Sequence, residues 1–237
     1  MSQILEETIQ LQVSDGTTMQ AFVARPASKP TAGILVLQEA FGVNHHIRQM
    51  TINFALEGYL AVAPELFHRT AHAGFEGSYD NFQPLMPHIQ ALTPTGTIAD
   101  AKSCFDWLES QGVKKTAAVG YCMGGRVAYV ANSALPIKAA VSYYGSQIAS
   151  PENLARAKDQ QGPLLLHWGG TDNHIPPDQI RAIEDALRAA DKSFVNVVYS
   201  GADHGFNCDA RPSYNAEAAE ESWALTQAFL NRMLKKS

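Results

Sequence analysis

The residues with the clearest capacity for chemistry lie in one short run, Gly120-Tyr121-Cys122-Met123-Gly124. The run reads G-x-C-x-G, which is the nucleophile pattern G-x-S-x-G with a thiol in place of the hydroxyl. Flanking glycines allow a tight turn that presents the central side chain at the start of a helix. With 17 Gly and 3 Cys among 237 residues, roughly 0.015 such runs are expected by chance. The run therefore predicts a nucleophilic thiol at Cys122.

A nucleophilic thiol needs a base, and the base needs a carboxylate to orient it. In folds that carry this pattern the order along the chain is nucleophile, acid, then histidine. Asp172 follows the apolar run at 163–166, and His204 follows the apolar run at 194–199. Both are therefore predicted at the carboxyl ends of late strands, where sheets of α/β proteins place their sites.

Each of these residues has an alternative interpretation. Cys122 could be a buried structural cysteine in a glycine-rich turn, since cysteine is common in cores. Asp172 could be an ordinary turn residue, and it competes with Asp178, which resembles a helix-start residue, and with Asp203. His204 is one of eight histidines, most of which are expected at the surface.

The loop after the first long apolar run, residues 38–44, is the fourth element. In folds with this nucleophile pattern that loop supplies one N–H of an oxyanion hole, and the residue after the nucleophile supplies the other. The candidates are the main-chain N–H groups of Ala40 and Met123. Glu39 is unusual here because a carboxylate would repel a developing oxyanion, so its presence suggests that it has another role. By spacing alone, Glu39 could also be a solvated acid in the loop.

The periodicity of the chain predicts the elements that position these residues. Alternating residues at 8–13 and 19–23, about Asp15-Gly16, predict an antiparallel hairpin. Continuous apolar runs typical of buried parallel strands lie at 33–37, 60–63, 117–119, 139–141, 163–166 and 194–199. Helical spacing lies at 47–57, 96–109, 124–134, 177–190 and 214–234. We therefore expect a single α/β domain over 1–237, with a mostly parallel sheet, the N-terminal hairpin and helices on both faces.

Periodicity fails between residues 68 and 94, where aromatic, histidine and proline residues are scattered among polar ones. We expect a loop or short helices there. Excursions of this kind often line a substrate pocket.

The composition excludes several other classes of protein. The chain has 46% hydrophobic and 17% charged residues, the balance of an ordinary globular domain. With 18 basic and 23 acidic residues, the net charge of −5 gives no basic surface for nucleic acid. No apolar run reaches the roughly 18 to 20 residues that span a bilayer, and the first seven residues lack the features of a secretory signal. We expect a cytoplasmic protein.

Metal and disulfide sites are not expected. The three cysteines are Cys104, Cys122 and Cys208. Their spacing does not suggest disulfide pairs, and free thiols are typical of a reducing compartment. Four histidines could suggest a metal, but no carboxylate or cysteine stands near them at ligand spacing: His45, His46, His68 and His72.

Four runs together resemble the dienelactone hydrolase family, also called carboxymethylenebutenolidases, of the α/β-hydrolase superfamily. They read QEAFGVN at 38–44, GYCMGG at 120–125, GGTD at 169–172 and HGF at 204–206. The resemblance covers nearly the whole chain and implies cofactor-free hydrolysis of a cyclic enol-lactone by a Cys-His-Asp triad. It also implies that Glu39 holds the resting thiol and takes its proton when substrate arrives, while Asp172 holds the tautomer of His204.

The sequence differs from the best-known members of that family in the residues that bind the carboxylate of the substrate. Those members bind it with two arginines, one of them four residues past the catalytic histidine, where this chain has Cys208. Arg211, three residues further, and Arg69 are the candidate anion anchors, although both could be ordinary surface arginines. Tyr121 and Phe41, within the two motifs, are the other predicted substrate-binding residues.

The sequence thus predicts a hydrolase of small lactones or activated esters, acting as a monomer or weak homodimer on a small-molecule substrate. One alternative is an α/β-hydrolase scaffold without turnover, in which Cys122 senses redox state or the pocket only binds a ligand. Another is acyl transfer, which differs only in the acceptor.

Overall fold

The computed structural model describes residues 4–235. Residues 1–3, which contribute to the prediction that a secretory signal is missing, lie outside the described residues. The chain forms two compact units that divide between Thr116 and Ala117. The prediction of a single domain stays a prediction.

The first unit contains the predicted hairpin. Its four strands are β1 (Leu5–Gln12), β2 (Thr18–Arg25), β3 (Ala32–Leu37) and β4 (Leu60–Pro64). They are arranged in the order β1-β2-β4-β3. β1 pairs with β2, and β2 with β4, in antiparallel orientation, whereas β3 and β4 are parallel. Every residue of β3 and β4 is buried, which is why these two strands read as continuous apolar runs.

The helices of the first unit are α1 (His45–Leu56), α2 (Met86–Ala91) and α3 (Pro94–Ser110). α1 and α3 both contact β3 and β4. α1 begins where Oδ1 of Asn44 accepts a hydrogen bond from the N–H of Ile47 at 3.2 Å. α3 begins in the same way at Thr93, whose hydroxyl accepts from the N–H of Gly96 at 3.0 Å. The segment 68–94 holds α2 and the short turn Gln83–Leu85, as expected for short helices.

The second unit carries four strands that are parallel to their neighbours, in the order β5-β6-β7-β8. They are β5 (Lys115–Tyr121), β6 (Ala139–Tyr143), β7 (Leu164–Gly169) and β8 (Phe194–Tyr199). The helices are α4 (Met123–Ala134), α5 (Pro151–Ala155), α6 (Pro177–Ala189) and α7 (Ala216–Leu230). All residues of β6 and β7 are buried. Because buried strands are closely packed, the loops that follow their carboxyl ends start from fixed positions.

Two differences from the predicted elements have simple causes. α5 was not predicted because five residues are too few to show helical periodicity. The last helix ends at Leu230, and the wider turn Asn231–Lys235 continues the apolar pattern beyond it. Within residues 4–235 no helix has the length and apolar character needed to cross a bilayer.

Candidate active site

Cys122 lies between the end of β5 and the start of α4, in a strained conformation. Its φ is 54° and its ψ is −119°, a region that residues other than glycine rarely adopt. Its N–H donates a hydrogen bond to the carbonyl of Tyr143 at 3.0 Å, which anchors the turn to the neighbouring strand β6. The cysteine is partly exposed, whereas Cys104 and Cys208 are buried. The alternative of a buried structural cysteine is therefore wrong for Cys122.

The glycines of the motif are required by close approach of the backbone. A Cβ atom at Gly120 would overlap the carbonyl of Gly124, because the first turn of α4 folds back over the end of β5. A Cβ atom at Gly125 would lie 2.6 Å from Oγ of Ser142 and 2.8 Å from Cα of Gly145. The motif thus lets α4 lie directly on the neighbouring strand end and fixes Cys122 above it.

The three residues predicted as nucleophile, base and acid form a continuous chain of contacts. Nε2 of His204 lies 3.1 Å from Sγ of Cys122. Nδ1 of the same ring lies 2.7 Å from Oδ2 of Asp172. The other carboxylate oxygen, Oδ1, accepts the N–H of His174 at 2.8 Å, which fixes the carboxylate plane. The arrangement has the geometry of a nucleophile, a base and an orienting acid.

The electrostatics of these residues follow from burial and contact. Asp172 and His204 are 5% and 8% exposed, so the interpretation of His204 as a surface histidine is wrong. Asp172 does lie in a turn, but its Oδ2 also contacts the ring of His204. Burial by itself lowers the pKa of His204, but the hydrogen bonds to Asp172 and Cys122 outweigh it and raise the pKa to about 10. Burial acts to raise the pKa of Asp172, but the hydrogen bond from His204, the charge of that ring and the N–H of His174 together outweigh it, so that the pKa is lowered.

The two other candidates for the orienting acid are Asp178 and Asp203, and within the described residues 4–235 neither side chain forms a hydrogen bond with the ring of His204. Asp178 lies in the first turn of α6, as its sequence context predicts. Asp203 is exposed, and its Oδ1 accepts the main-chain N–H of His204 at 2.6 Å. Asp203 thereby holds the backbone of the histidine, while Asp172 holds its ring.

Two rings pack against His204 that the sequence did not predict. The ring centroids of Tyr144 and His174 each lie 5.2 Å from that of His204. Tyr144 is fully buried and has a φ of 38°, a rare conformation for a bulky residue. Tyr144 follows an apolar strand and has the sequence context of an ordinary core residue. The sequence therefore gave no indication of its contact with His204.

A buried polar network lies beside the strands that carry the site. The two ring nitrogens of His167 each lie 3.0 Å from a hydroxyl, that of Tyr199 at Nδ1 and that of Thr226 at Nε2. The hydroxyl of Thr226 is in turn 2.7 Å from that of Tyr143. Burial lowers the pKa of His167 to about 3. The network ties β6, β7, β8 and α7 together through neutral groups.

Glu39, Ala40 and Phe41 lie in the first unit, directly after β3. Glu39 is fully buried, so the alternative of a solvated loop acid is wrong. Ala40 is 2% exposed, and the ring of Phe41 packs on that of Tyr79 with centroids 4.5 Å apart. Met123 opens α4 in the second unit and therefore presents one of the first N–H groups of that helix. The roles predicted for these residues stay predictions.

The predicted substrate-binding residues have partners of their own. Arg69 makes two hydrogen bonds to Asp100, at 2.7 and 2.9 Å, and one to Asp15 at 2.7 Å, so a substrate carboxylate would compete with both. Arg211 packs its guanidinium on Gly205, beside His204. The fully buried ring of Tyr121 stacks on that of Tyr143, with centroids 4.8 Å apart.

One charged residue near the nucleophile was missed by sequence reasoning. Arg126 stands four residues after Cys122 in the first turn of α4, and it is half-buried. The spacing was visible in the sequence, but nothing there separated Arg126 from an ordinary helix-surface arginine.

Comparison with known proteins identifies the family. The sequence pattern described as the Dienelactone hydrolase family matches residues 19–234. The chain belongs to the dienelactone hydrolase family. Members of this family are carboxylic ester hydrolases, so the predicted family and enzyme class are both confirmed.

Relatives of this dienelactone hydrolase family member span most of its length. A protein of Escherichia coli (strain K12) named "Putative carboxymethylenebutenolidase" is 37% identical over 222 residues, 89% of this chain and 81% of the relative. One of Saccharolobus solfataricus with the same name is 30% identical, over 94% of this chain and 97% of the relative. A crystal structure titled as a putative dienelactone hydrolase from Klebsiella pneumoniae superposes with a TM-score of 0.88 at 32% identity, over 97% and 99% of the two chains. The predicted α/β-hydrolase fold is therefore confirmed.

Proposed function

We propose that this enzyme hydrolyses small lactones or activated carboxylic esters through a Cys-His-Asp triad and an acyl-enzyme, without a cofactor. The observation that carries the proposal is the continuous contact from Asp172 to His204 at 2.7 Å and from His204 to Cys122 at 3.1 Å. An inert thiol or a ligand-binding scaffold needs no such oriented base, so the contact favours catalysis over the alternative without turnover.

The proposed first half-reaction forms the acyl-enzyme. Nε2 of His204 holds the thiol proton while the sulfur of Cys122 attacks the carbonyl carbon and the C=O pair moves to oxygen. The N–H groups of Ala40 and Met123 stabilise this oxyanion. As the oxyanion collapses, the C–O bond to the leaving group breaks, and the leaving oxygen takes the proton from His204. The family resemblance implies that Glu39 holds the resting thiol and takes its proton when substrate arrives, so Glu39 is the alternative to His204 as first acceptor of this proton.

The second half-reaction returns the enzyme to its starting state. His204 removes a proton from a water molecule, which attacks the thioester carbonyl. The C–S bond then breaks, the sulfur recovers its proton from the imidazolium, and a carboxylic acid leaves. Asp172 accepts the hydrogen bond from the Nδ1–H group throughout and so keeps Nε2 directed at the reacting atoms.

The names of the relatives favour a lactone as the substrate. The proteins from E. coli and S. solfataricus are both named as carboxymethylenebutenolidases, enzymes that open a butenolide ring. Opening an enol-lactone releases an enolate oxygen, which leaves more readily than an alkoxide. We also propose a cytoplasmic location, in keeping with three free cysteines. A monomeric or weakly dimeric state is part of the same proposal.

The experiment that tests the proposal combines substrates with thiol variants. Purified protein is incubated with enol-lactones and 4-nitrophenyl esters, and the variants are Cys122→Ala and Cys122→Ser. The matched control is Cys104→Ala, because Cys104 is fully buried in the first unit. We expect a loss of at least ~10³-fold in kcat/KM for Cys122→Ala, full activity in the control, and a mass increase at Cys122 in the quenched wild type. Equal turnover by Cys122→Ala, or no turnover of any substrate by the wild type, contradicts the proposal.

A further inference from the structure

The side chain of Gln38 joins the loop after β3 to the chain after β4. It is fully buried, and no step of the proposed reaction uses it. Its amide nitrogen donates a hydrogen bond to the carbonyl oxygen of Glu39 at 3.3 Å, and its amide oxygen accepts the main-chain N–H of Leu66 at 2.9 Å. Because a carbonyl only accepts and an N–H only donates, these contacts fix which end of the amide faces each group.

The contact between Gln38 and Glu39 acts on a single peptide group. The carbonyl of Glu39 and the N–H of Ala40 belong to the same planar peptide, and in a trans peptide these two bonds point in opposite directions. A hydrogen bond that fixes the carbonyl therefore also fixes the direction of the Ala40 N–H. Leu66 in turn holds the amide of Gln38, so the direction of this N–H is tied to the chain just after the buried strand β4.

The N–H of Ala40 is a buried donor without a hydrogen-bond partner in the protein. Ala40 is 2% exposed, and within residues 4–235 its N–H makes no hydrogen bond. Buried main-chain N–H groups are nearly always paired, because an unpaired donor costs free energy. A bound ligand that accepts a hydrogen bond at this position would explain the unpaired donor. The proposed function gives this N–H such an acceptor, the oxyanion of the substrate.

The later residues of the loop are held by contacts with the excursion that follows β4. The N–H of Gly77 donates to the carbonyl of Phe41 at 3.0 Å. Nδ2 of Asn44 donates to the hydroxyl of Tyr79 at 2.8 Å. The contact made by Gln38 therefore acts on a peptide whose following neighbours are already fixed, so that a change at Gln38 is expected to turn this peptide without displacing the whole loop.

We propose that Gln38 is a positioning residue of the oxyanion hole, which sets the peptide between Glu39 and Ala40 so that its N–H donates to the developing oxyanion. Gln38 acts through Ala40 and does not touch the substrate. The proposal rests on the hydrolytic function proposed above, in which the N–H of Ala40 stabilises the oxyanion. Stabilisation of an oxyanion can nevertheless be measured on a covalent adduct, without any turnover.

The first test uses trifluoromethyl pentyl ketone labelled with carbon-13 at the carbonyl. The sulfur of Cys122 adds to the carbonyl carbon, the C=O pair moves to the oxygen, and the thiol proton passes to His204. The carbon-13 shift of this adduct, followed against pH, reports the pKa of the adduct oxygen, which hydrogen-bond donors lower. Gln38→Met keeps the length of the side chain and removes both hydrogen bonds. We expect it to raise the pKa of the adduct oxygen and to weaken ketone binding by ~10- to 100-fold.

Alkylation by iodoacetamide is the internal control for the nucleophile. The sulfur forms a C–S bond as iodide leaves, and no oxyanion develops in this reaction. The rate at Cys122 in Gln38→Met should therefore stay within ~2-fold of the wild type, with the modified residue identified by mass spectrometry. Cys104 and Cys208 are fully buried and are expected to react slowly. An equal loss in alkylation and in ketone binding overturns the positioning role, because Gln38 would then support the site in general.

Gln160→Met is the matched control for loss of a buried amide. Gln160 is 4% exposed, accepts a hydrogen bond from Nδ2 of Asn132 at 2.7 Å and donates to the carbonyl of Tyr129 at 3.2 Å. This variant should be destabilised in urea like Gln38→Met, yet bind the ketone within ~2-fold of the wild type. If Gln38→Met does not fold, Gln38→Asn takes its place, because the shorter amide cannot reach both of its partners.

The second test is the split between kcat and KM on a 4-nitrophenyl ester. The oxyanion exists only after attack, so Gln38→Met should lower kcat by ~10- to 100-fold and change KM less than ~3-fold. A variant that only loosens the fold would lose active protein in proportion to its unfolded fraction, and the ketone affinity of the folded fraction would be unchanged. A rise in KM alone overturns the proposal.

The two tests separate failure of this proposal from failure of the proposed function. If no ester is hydrolysed but ketone binding still depends on Gln38, the positioning role stands and the hydrolytic function fails. If esters are hydrolysed and Gln38→Met binds the ketone as tightly as the wild type, the positioning role is overturned and the hydrolytic function stands. If iodoacetamide modifies Cys122 of the wild type but the ketone forms no adduct, no oxyanion hole serves this thiol, and the positioning role is overturned as well.

Discussion

Nδ1 of His204 lies 2.7 Å from Oδ2 of Asp172, and this contact determines which nitrogen of the ring faces Cys122. An ionised carboxylate can only accept a hydrogen bond, so Nδ1 carries a proton. Nε2 is then the nitrogen that exchanges a proton with the sulfur 3.1 Å away. The proposed chemistry therefore depends on the carboxylate as well as on the base.

Replacing Asp172 by Asn is expected to lower kcat/KM by about 10²- to 10⁴-fold, because an amide can hold the wrong tautomer of the imidazole. The same change removes a cause of the raised pKa of His204, so this pKa should fall from about 10 toward the ordinary value of 6.5. NMR titration of the His204 ring protons measures the shift. Asp178→Asn, an exposed acid of α6, is the control, and an equal loss of activity there contradicts the assignment of Asp172.

Replacing Gly120 by Ala is expected to prevent folding of the second unit or to cost at least about 3 kcal/mol of unfolding free energy. The reason is the overlap between the added Cβ and the carbonyl of Gly124, where two backbone segments meet and neither can move freely. Gly201→Ala is the matched control, because the same methyl group there has open space around it. Urea denaturation of the two variants measures the difference. Similar stabilities would show that the turn is looser than its geometry indicates.

The buried ring of His167 is expected to make the protein sensitive to acid. Burial lowers its pKa to about 3 in the folded protein, whereas the unfolded chain has the ordinary value of 6.5. Between these values the unfolded state binds more protons than the folded state. The contribution of the neutral His167 ring to stability is therefore present above pH 6.5 and is lost as the pH falls toward 3, by roughly 4 to 5 kcal/mol.

Thermal melting of wild type and His167→Gln between pH 7.5 and 3.5 checks this expectation. The variant should be less stable at pH 7.5, because it interrupts the hydrogen bonds to Tyr199 and Thr226, yet it should lose less stability on acidification. If the melting temperatures of the two proteins fall equally with pH over this range, protonation of His167 is not a cause of the acid sensitivity.

Asp100 is expected to be essential to the stability of the first unit. Its side chain is fully buried and accepts hydrogen bonds from Arg69 and His68. Asp100→Ala leaves those donors without their acceptor and should cost about 3 to 5 kcal/mol of unfolding free energy. Asp15→Asn alters the solvent-exposed partner of the same arginine and should cost much less unfolding free energy than Asp100→Ala. Equal losses in the two variants, measured by urea denaturation, contradict the buried network.

Most of the secondary structure could be predicted from the sequence, because the burial of a strand or of one helix face requires apolar residues at regular positions along the chain. Strands buried on both faces, such as β3 and β7, are largely apolar, and both were predicted within three residues of their ends. α5 escaped prediction because five residues carry no periodicity. The tight turn at Cys122 was also predictable, since the close approach of the backbone that requires glycine is local along the chain.

The contacts between distant residues were decided by the tertiary structure alone. His68 and Asp100 are 32 residues apart and lie 3.1 Å from each other, which no spacing rule for ligands or ion pairs could indicate. Gln147 and Arg126 meet across 21 residues because a loop in a strained conformation turns the amide back onto α4. Short-range patterns do not encode such approaches, because these depend on how strands and loops pack.

The sequence by itself determined the alternation of strands and helices and predicted a nucleophile at Cys122, because both depend on neighbours a few residues apart. The chain order of the proposed partners came from folds that carry the same motif. The sequence left three carboxylates as candidates for orienting the histidine: Asp172, Asp178 and Asp203. Parallel pairing of β7 with β8 decided among them, since it brings the loop after each strand to the same edge and sets the Asp172 carboxylate against the ring of His204. Only a folded sheet can bring together two side chains that are 32 residues apart.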